Sequence, residues 1–176
     1  MIQHSQYKER ESMKKLALII LLLCFGLNAK DKKVDYTKAE SWKSLEKYLV
    51  NEKGRKIKGL DLSKKDYYMI YFSASWCPPC RKFTPGLVEY YNKHAKTDNF
   101  ELIFYTSDNS EKASEKYMQD YKMPWPTVKF SKMKYVDLKQ FSSKGIPHLV
   151  LIDKEGKVLA KGQSVTLRKM DELMGR

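Results

Sequence analysis

Cysteine is scarce in this chain. Its 176 residues hold three, Cys24, Cys77 and Cys80, too few for a disulfide-built scaffold. The same count argues against zinc. A tetrahedral site needs about four ligands, and beyond residue 29 only Cys77, Cys80, His94 and His148 are obvious donors, with no second close pair among them. Haem attachment requires His directly after C-x-x-C, and residue 81 is Arg. Long apolar runs are also missing. Leu16–Leu27 spans twelve largely apolar residues, short of the roughly 20 that a transmembrane helix needs. Acidic residues are outnumbered, with 21 Asp+Glu against 34 Lys+Arg and a net charge of +13. Such a surface attracts acidic proteins, polyanions or anionic membranes. The lysines are nevertheless scattered and often stand beside acids, as in Glu111-Lys112 and Glu115-Lys116. With no nucleic-acid motif beside them, they read as a solvated basic surface rather than a nucleic-acid site. Internal repeats and long low-complexity segments are absent.

Residues 1–29 carry an export pattern. Met13-Lys14-Lys15 precedes the short apolar run, and Ala29 suits a cleavage site. This reads as a signal peptide, with translation starting at Met13. The alternatives are an uncleaved anchor or lipidation at Cys24, against which Leu23 is a poor preceding residue. A membrane contact is expected only through that leader. Removing it leaves two cysteines, both in one motif. Residues 30–37 read as a flexible lead-in and 38–176 as one domain, in a periplasmic or extracellular setting.

That motif is Trp76-Cys77-Pro78-Pro79-Cys80. An apolar, aromatic run, Tyr67–Phe72, precedes it, and Phe83, Leu87, Tyr90 and Tyr91 follow at helical spacing. A C-x-x-C between a strand and a helix reads as a thiol–disulfide redox site. Cys77 then falls at a helix N-terminus, where unpaired N–H groups and the helix dipole favour a thiolate. Cys80 lies about one turn on, within reach of a short disulfide. Pro78 and Pro79 suit the first turn, where a missing N–H costs little. A purely structural disulfide is the competing reading.

The remaining pattern alternates strands with helices. Residues 38–51 read as a helix ending near Gly54, because Trp42, Leu45 and Leu49 share a face. Residues 55–60 suggest a short strand, 67–73 the central one, and a helix then runs to about residue 95 with Pro85 inside it. A second buried strand is expected over 100–107, and a helix capped by Ser110 through about Tyr121. Met123–Pro126 reads as a rigid loop and 136–141 as a short helix. Strands over 147–152 and 157–160 flank a turn ending in Gly156, and a helix over 165–174 closes the chain. This order predicts an α/β fold, a sheet flanked by helices with a terminal hairpin.

The stretch Tyr71–Arg81, then Phe83-Thr84-Pro85, Ser107-Asp108, Met123-Pro124-Trp125, Gly145-Ile146-Pro147 and Leu149-Val150 resembles the thioredoxin superfamily, in its tryparedoxin/nucleoredoxin branch. The similarity runs over about residues 45–165 in consistent order. It implies a thioredoxin fold, a central mixed sheet flanked by helices, here with an extra N-terminal helix. It implies a cis-proline loop at Pro147 facing the dithiol, with Ile146 as its pre-proline residue. By the same resemblance Cys77 is the nucleophile and Cys80 resolves the mixed disulfide. The redox disulfide itself is the only expected cofactor. Trp76 is expected to form an apolar rim for substrate. Trp125 stands between a part of that surface and the core. Arg81 and His148 are candidate modulators of Cys77, the latter if charged. Peroxiredoxin chemistry is disfavoured, because those proteins place Thr or Ser three residues before the reactive Cys, where this chain has Ala74. One departure matters. Thioredoxins carry a buried Asp six residues before the first Cys, and this chain has Tyr71. The group that assists Cys80 is therefore open.

The expected function is reduction of protein disulfides, with electrons from an external donor. The same fold also serves as oxidant or isomerase, according to reduction potential. A non-enzymatic C-x-x-C module that binds a soft metal or a partner is the alternative from another class.

Overall fold

The computed structural model describes residues 35–176. The leader, its Met13 start and residues 30–34 of the lead-in expected over 30–37 lie outside the described residues; within the rest of that lead-in Tyr36 is buried. Helix α1 (Ala39–Leu45) opens the described chain, followed by β1 (Leu49–Val50), β2 (Tyr67–Ser73), α2 (Pro78–His94) and β3 (Phe100–Thr106). Then come α3 (Glu111–Asp120), β4 (Thr127–Val128), β5 (His148–Asp153), β6 (Val158–Lys161) and α4 (Gln163–Leu173). The strands form one six-stranded mixed sheet in the order β1-β4-β3-β2-β5-β6.

The centre of the sheet follows from composition. β2 and β3 pair in parallel from Tyr67↔Phe100 to Ser73↔Thr106. β5 runs antiparallel on the other side of β2, from Tyr67↔Asp153 to Phe72↔His148. These strands are covered on both faces, which is why they read as continuous rather than alternating apolar runs. Alternation still assigns each side chain to a face. Tyr68, Ile70, Phe72, Ile103, Tyr105, Val150 and Ile152 pack with Trp42 and Leu45 of α1 and with Leu138 and Phe141. Met69, Tyr71, Leu102, Phe104, Leu149 and Leu151 face the opposite way and pack with Leu87 of α2, Tyr117 and Met118 of α3 and Met170 of α4. Trp42 anchors the first layer. Its ring stacks on Tyr68 with centroids 3.6 Å apart, and its Nε1–H donates to the Tyr36 carbonyl at 3.1 Å.

The edges depart from expectation. The helix expected over 38–51 stops at Leu45, a 3₁₀ turn follows over Glu46–Tyr48, and Leu49–Val50 joins the sheet against β4. The strand expected over 55–60 reduces to one bridge between Lys56 and Val50. β4 follows directly on the loop expected over Met123–Pro126, at residues for which no element was expected. β1 and β4 have two residues each, too few to leave a periodic signal. The short helix expected over 136–141 is a 3₁₀ turn, Asp137–Phe141, preceded by another over Phe130–Tyr135. The β5–β6 turn closes as expected at Gly156, whose φ of +79° suits glycine.

Candidate active site

β2 delivers the chain to the site. After Ser73 the segment Ala74–Trp76 turns sharply, and the Cys77 N–H donates to the Ala74 carbonyl at 3.2 Å. The buried Asp108, just beyond β3, holds this turn. Its Oδ1 accepts from the Ser75 N–H at 2.9 Å and the Ser75 hydroxyl at 2.7 Å, and its Oδ2 accepts from the Thr106 hydroxyl at 2.9 Å. Trp76 follows directly. Its Nε1–H donates to the Ser107 carbonyl at 3.3 Å while the side chain stays 58% exposed. The indole is thus tethered at one edge and open to solvent beside the sulfur site.

Cys77 is the N-cap of α2, and its Sγ accepts from the Cys80 N–H at 3.2 Å. A helix N-terminus offers such unpaired donors to an anion. Pro78 and Pro79 fill the first turn and are exposed. Cys77 and Cys80 form a disulfide with Cα atoms 5.2 Å apart. Cys77 is nearly buried and Cys80 wholly so, so the chain order of the two sulfurs matches their access to a partner. Facing them is the Ile146–Pro147 bond, which is cis. The Ile146 carbonyl oxygen lies 3.7 Å from Cys77 Sγ, and the Ile146 side chain packs on Ala74, Cys77 and Cys80. α4 fixes this loop from behind, through the Gln163 side-chain amide donating to the Pro147 carbonyl at 2.9 Å.

The structure thus gathers Trp76, Cys77, Cys80, Ile146 and Pro147 in one place. Arg81 is exposed on the first turn of α2 and makes no ion pair among the described residues; its N–H donates to the Cys77 carbonyl. Two expectations are corrected. Trp125 belongs to the core rather than the rim. It is 1% exposed and meets the rings of Tyr71 and Tyr91 edge-on. The reason is its loop: the Phe104 N–H binds the Pro126 carbonyl at 2.9 Å, pinning the segment along β3 with the indole turned inward. His148 does not offer a cation to Cys77. Its register partner is Phe72, so its side chain lies on the α1 face of the sheet, away from the face that α2 covers. Burial, reinforced by the Lys161 charge and opposed by a hydrogen bond to the Phe141 backbone, lowers its pKa. Its Nε2 is buried with no hydrogen-bond partner among the described residues.

A pH effect follows for stability. A folded-state pKa below the ordinary 6.5 means that the unfolded chain takes up the His148 proton first. The neutral ring's contribution is complete above about pH 6.5 and is lost as the pH falls below it. The thermal midpoint of the wild type should drop more between about pH 7.5 and pH 5 than that of His148→Leu. Equal drops would show that His148 carries none of the dependence.

Several contributors escaped sequence reasoning. Thr84 lies four residues after Cys80 on the buried face of α2, a spacing that could have revealed it. Its hydroxyl donates to the Cys80 carbonyl at 2.9 Å and also contacts those of Tyr71 at 2.9 Å and Tyr117 at 2.7 Å. Tyr117 comes from α3, far away in the chain, and no local pattern announces it. Among the described residues no cluster of His, Cys, Asp and Glu could hold a metal ion, and no helix is long and apolar enough to cross a membrane.

Comparison with known proteins agrees with this geometry. The thioredoxin-like family model matches residues 65–158, from the start of the central strand into the terminal hairpin. Tryparedoxin of Trypanosoma brucei brucei is 43% identical over 86 residues, covering 48% of this chain and 58% of that protein. Probable nucleoredoxin 1 of Arabidopsis thaliana is 39% identical over 114 residues, covering 64% of this chain but 19% of that protein. The chain therefore spans less than two thirds of the length of each of these curated relatives. Among solved structures, tryparedoxin I from Leishmania major superposes with a TM-score of 0.58 at 35% identity, over 71% of this chain and 88% of that one. Tryparedoxin II from C. fasciculata gives 0.62 at 29% identity, over 78% and 94%. A C-x-x-C at the start of α2, a cis-proline opposite it and a family match across most of the sheet converge: the chain belongs to the thioredoxin-like family, in its tryparedoxin/nucleoredoxin branch.

Proposed function

We propose that this protein is a thiol–disulfide oxidoreductase that reduces protein disulfides through Cys77 and Cys80, in the extracytoplasmic setting suggested by the leader pattern of residues 13–29. One observation carries the reading: the Cys77–Cys80 pair opens α2 with the Ile146 carbonyl 3.7 Å from Cys77 Sγ. In the reduced protein the helix N-terminus favours the Cys77 thiolate. That thiolate attacks a substrate disulfide, forming a mixed disulfide and releasing one substrate thiolate. Cys80 then attacks Cys77 Sγ, the substrate leaves reduced, and the Cys77–Cys80 disulfide remains. An external dithiol donor resets the pair by the reverse exchange. Proline at 147 supplies no N–H, so an extended substrate segment can lie along this loop and pair with the Ile146 backbone. The exposed Trp76 ring flanks that path.

The test is insulin reduction with dithiothreitol as donor, together with the reduction potential of the pair. Catalysed insulin reduction and a potential near about −270 mV, like thioredoxin, support the reading. A potential near about −120 mV would make the protein a disulfide donor instead. The absence of a reversible couple would leave only a structural or metal-binding C-x-x-C.

A further inference from the structure

Beneath Cys80 lies a buried group of hydroxyls that the exchange chemistry above does not use. Thr84, Tyr71, Tyr117 and Ser73 are all buried. Thr84 Oγ1 is the hub, 2.9 Å from the Cys80 carbonyl, 2.9 Å from the Tyr71 hydroxyl and 2.7 Å from that of Tyr117. The Ser73 hydroxyl lies 3.2 Å from Tyr117, and the Tyr71 hydroxyl 3.4 Å from the same Cys80 carbonyl.

Counting protons orders this group. A threonine hydroxyl has one proton to give and two lone pairs. The Cys80 carbonyl can only accept, and of the two hydroxyls near it Thr84 at 2.9 Å lies closer than Tyr71 at 3.4 Å, so Thr84 gives its proton there. Tyr71 and Tyr117 must then both donate to Thr84. Tyr117 has no second proton, so Ser73 donates to it. Every hydroxyl points the same way, toward the residue that carries the resolving sulfur, and such aligned bonds reinforce one another. Threonine bonding to the carbonyl four residues back is common in helices. That habit does not account for two buried phenols filling both of its lone pairs, one from β2 and one from α3. Among the described residues no carboxylate is a hydrogen-bond partner of these four side chains.

We propose that Thr84, held by Tyr71 and Tyr117, is the positioning residue for the resolving step, fixing Cys80 against Cys77 without supplying a base. The inference rests on the oxidoreductase reading above. The step balances without the hydroxyls gaining or losing a proton. The Cys80–Cys77 S–S bond forms as the Cys77–substrate S–S bond breaks, and the Cys80 proton ends on the departing substrate thiolate. Burial raises the Tyr71 pKa, so that phenol stays protonated throughout. What the network contributes is order in the first turn of α2, where Cys80 must hold its place while Cys77 carries a bulky adduct.

The two sulfur steps separate in a single-turnover reaction of the reduced protein with a limiting amount of Ellman's reagent. Attack by Cys77 releases the first thionitrobenzoate, and resolution by Cys80 releases the second. Thr84→Val should slow the second release about tenfold, the scale of one lost buried hydrogen bond, and leave the first unchanged. Thr84→Ser should restore the rate. Tyr117→Phe, which keeps Thr84 but removes one of its donors, should slow the second release less, and provides the answer if the valine variant does not fold. In the wild type the second release should rise with pH along a single thiol titration. Unchanged second phases in both variants, equal slowing of both phases, or a second inflection from a buried base would each overturn the proposal. A wild type with no second release at all would instead sink the dithiol reading, independently of Thr84.

Discussion

Cys77→Ser should reduce insulin turnover to the uncatalysed background, a loss on the order of 10³-fold or more, while the fold survives. The size of the loss follows from access. Cys80 is wholly buried beneath the first turn of α2, and its N–H points at Cys77 Sγ. Cys77 keeps the pair's small opening to solvent and Cys80 has none, so no second sulfur replaces the lost nucleophile. A serine hydroxyl at 77 does not ionise near neutrality and forms no S–S bond. The fold should persist because the exchange is small and because serine is itself a good N-cap, accepting the same backbone donors. Loss of the cross-link costs little unfolded-state entropy, since Cys77 and Cys80 are only three residues apart in sequence. Insulin turbidity and a thermal unfolding curve on the same preparation decide the matter. Turnover within about tenfold of wild type in a folded variant would exclude Cys77 as the nucleophile.

How much of this could be read from the chain varies with the range of the interactions. The central strands were legible because β2 and β3 are buried on both faces, leaving long apolar runs with no competing period. The start of α2 was legible because Cys77, Pro78 and Pro79 state a helix N-terminus in three adjacent residues. Position 147 was legible through its Gly-Ile-Pro setting, although the cis bond belongs to the structure. Long-range pairing was not legible. β1 and β4 have two residues each, and they exist because β4 pairs with β3 and β1 with β4. Trp125 could not be assigned to surface or core because its two neighbouring prolines state only a rigid loop, and one backbone bond to Phe104 turns it inward. His148 looked like a neighbour of Cys77 because it follows Pro147. Its pairing with Phe72 puts its ring on the other face, and that register cannot be counted from sequence without knowing the partner strand. The hydroxyl hub was half visible: Thr84 follows Cys80 at helical spacing, whereas Tyr117 arrives from another helix.

Cys80→Ala should trap substrate on Cys77, converting a turnover enzyme into a stoichiometric one. The variant keeps what activates the first step. The donor to Cys77 Sγ is the residue-80 backbone N–H, which alanine retains, and the helix N-terminus is unchanged. Alanine also retains the backbone carbonyl to which the Thr84 hydroxyl donates. The cost is the buried thiol and a small void where Cys80 is now fully enclosed, about 1–2 kcal/mol of stability for so small a side chain. What is lost is the sulfur that displaces the substrate, and nothing nearby replaces it, because Thr84, Tyr71, Tyr117 and Ser73 offer only hydroxyls. The mixed disulfide should therefore persist until an outside thiol reaches Cys77. Burial works in its favour here, since Cys77 is 3% exposed in the oxidised pair and the Trp76 ring and the Ile146–Pro147 loop line the remaining approach. Reduced Cys80→Ala mixed with a disulfide-bonded peptide should show one peptide per chain by intact mass, a bond removed by dithiothreitol. The wild type under the same conditions should show the Cys77–Cys80 disulfide and free reduced peptide. Failure of the variant to take up peptide while remaining folded would mean that Cys80 is needed for the first attack as well, and the division of labour between Cys77 and Cys80 would have to be abandoned.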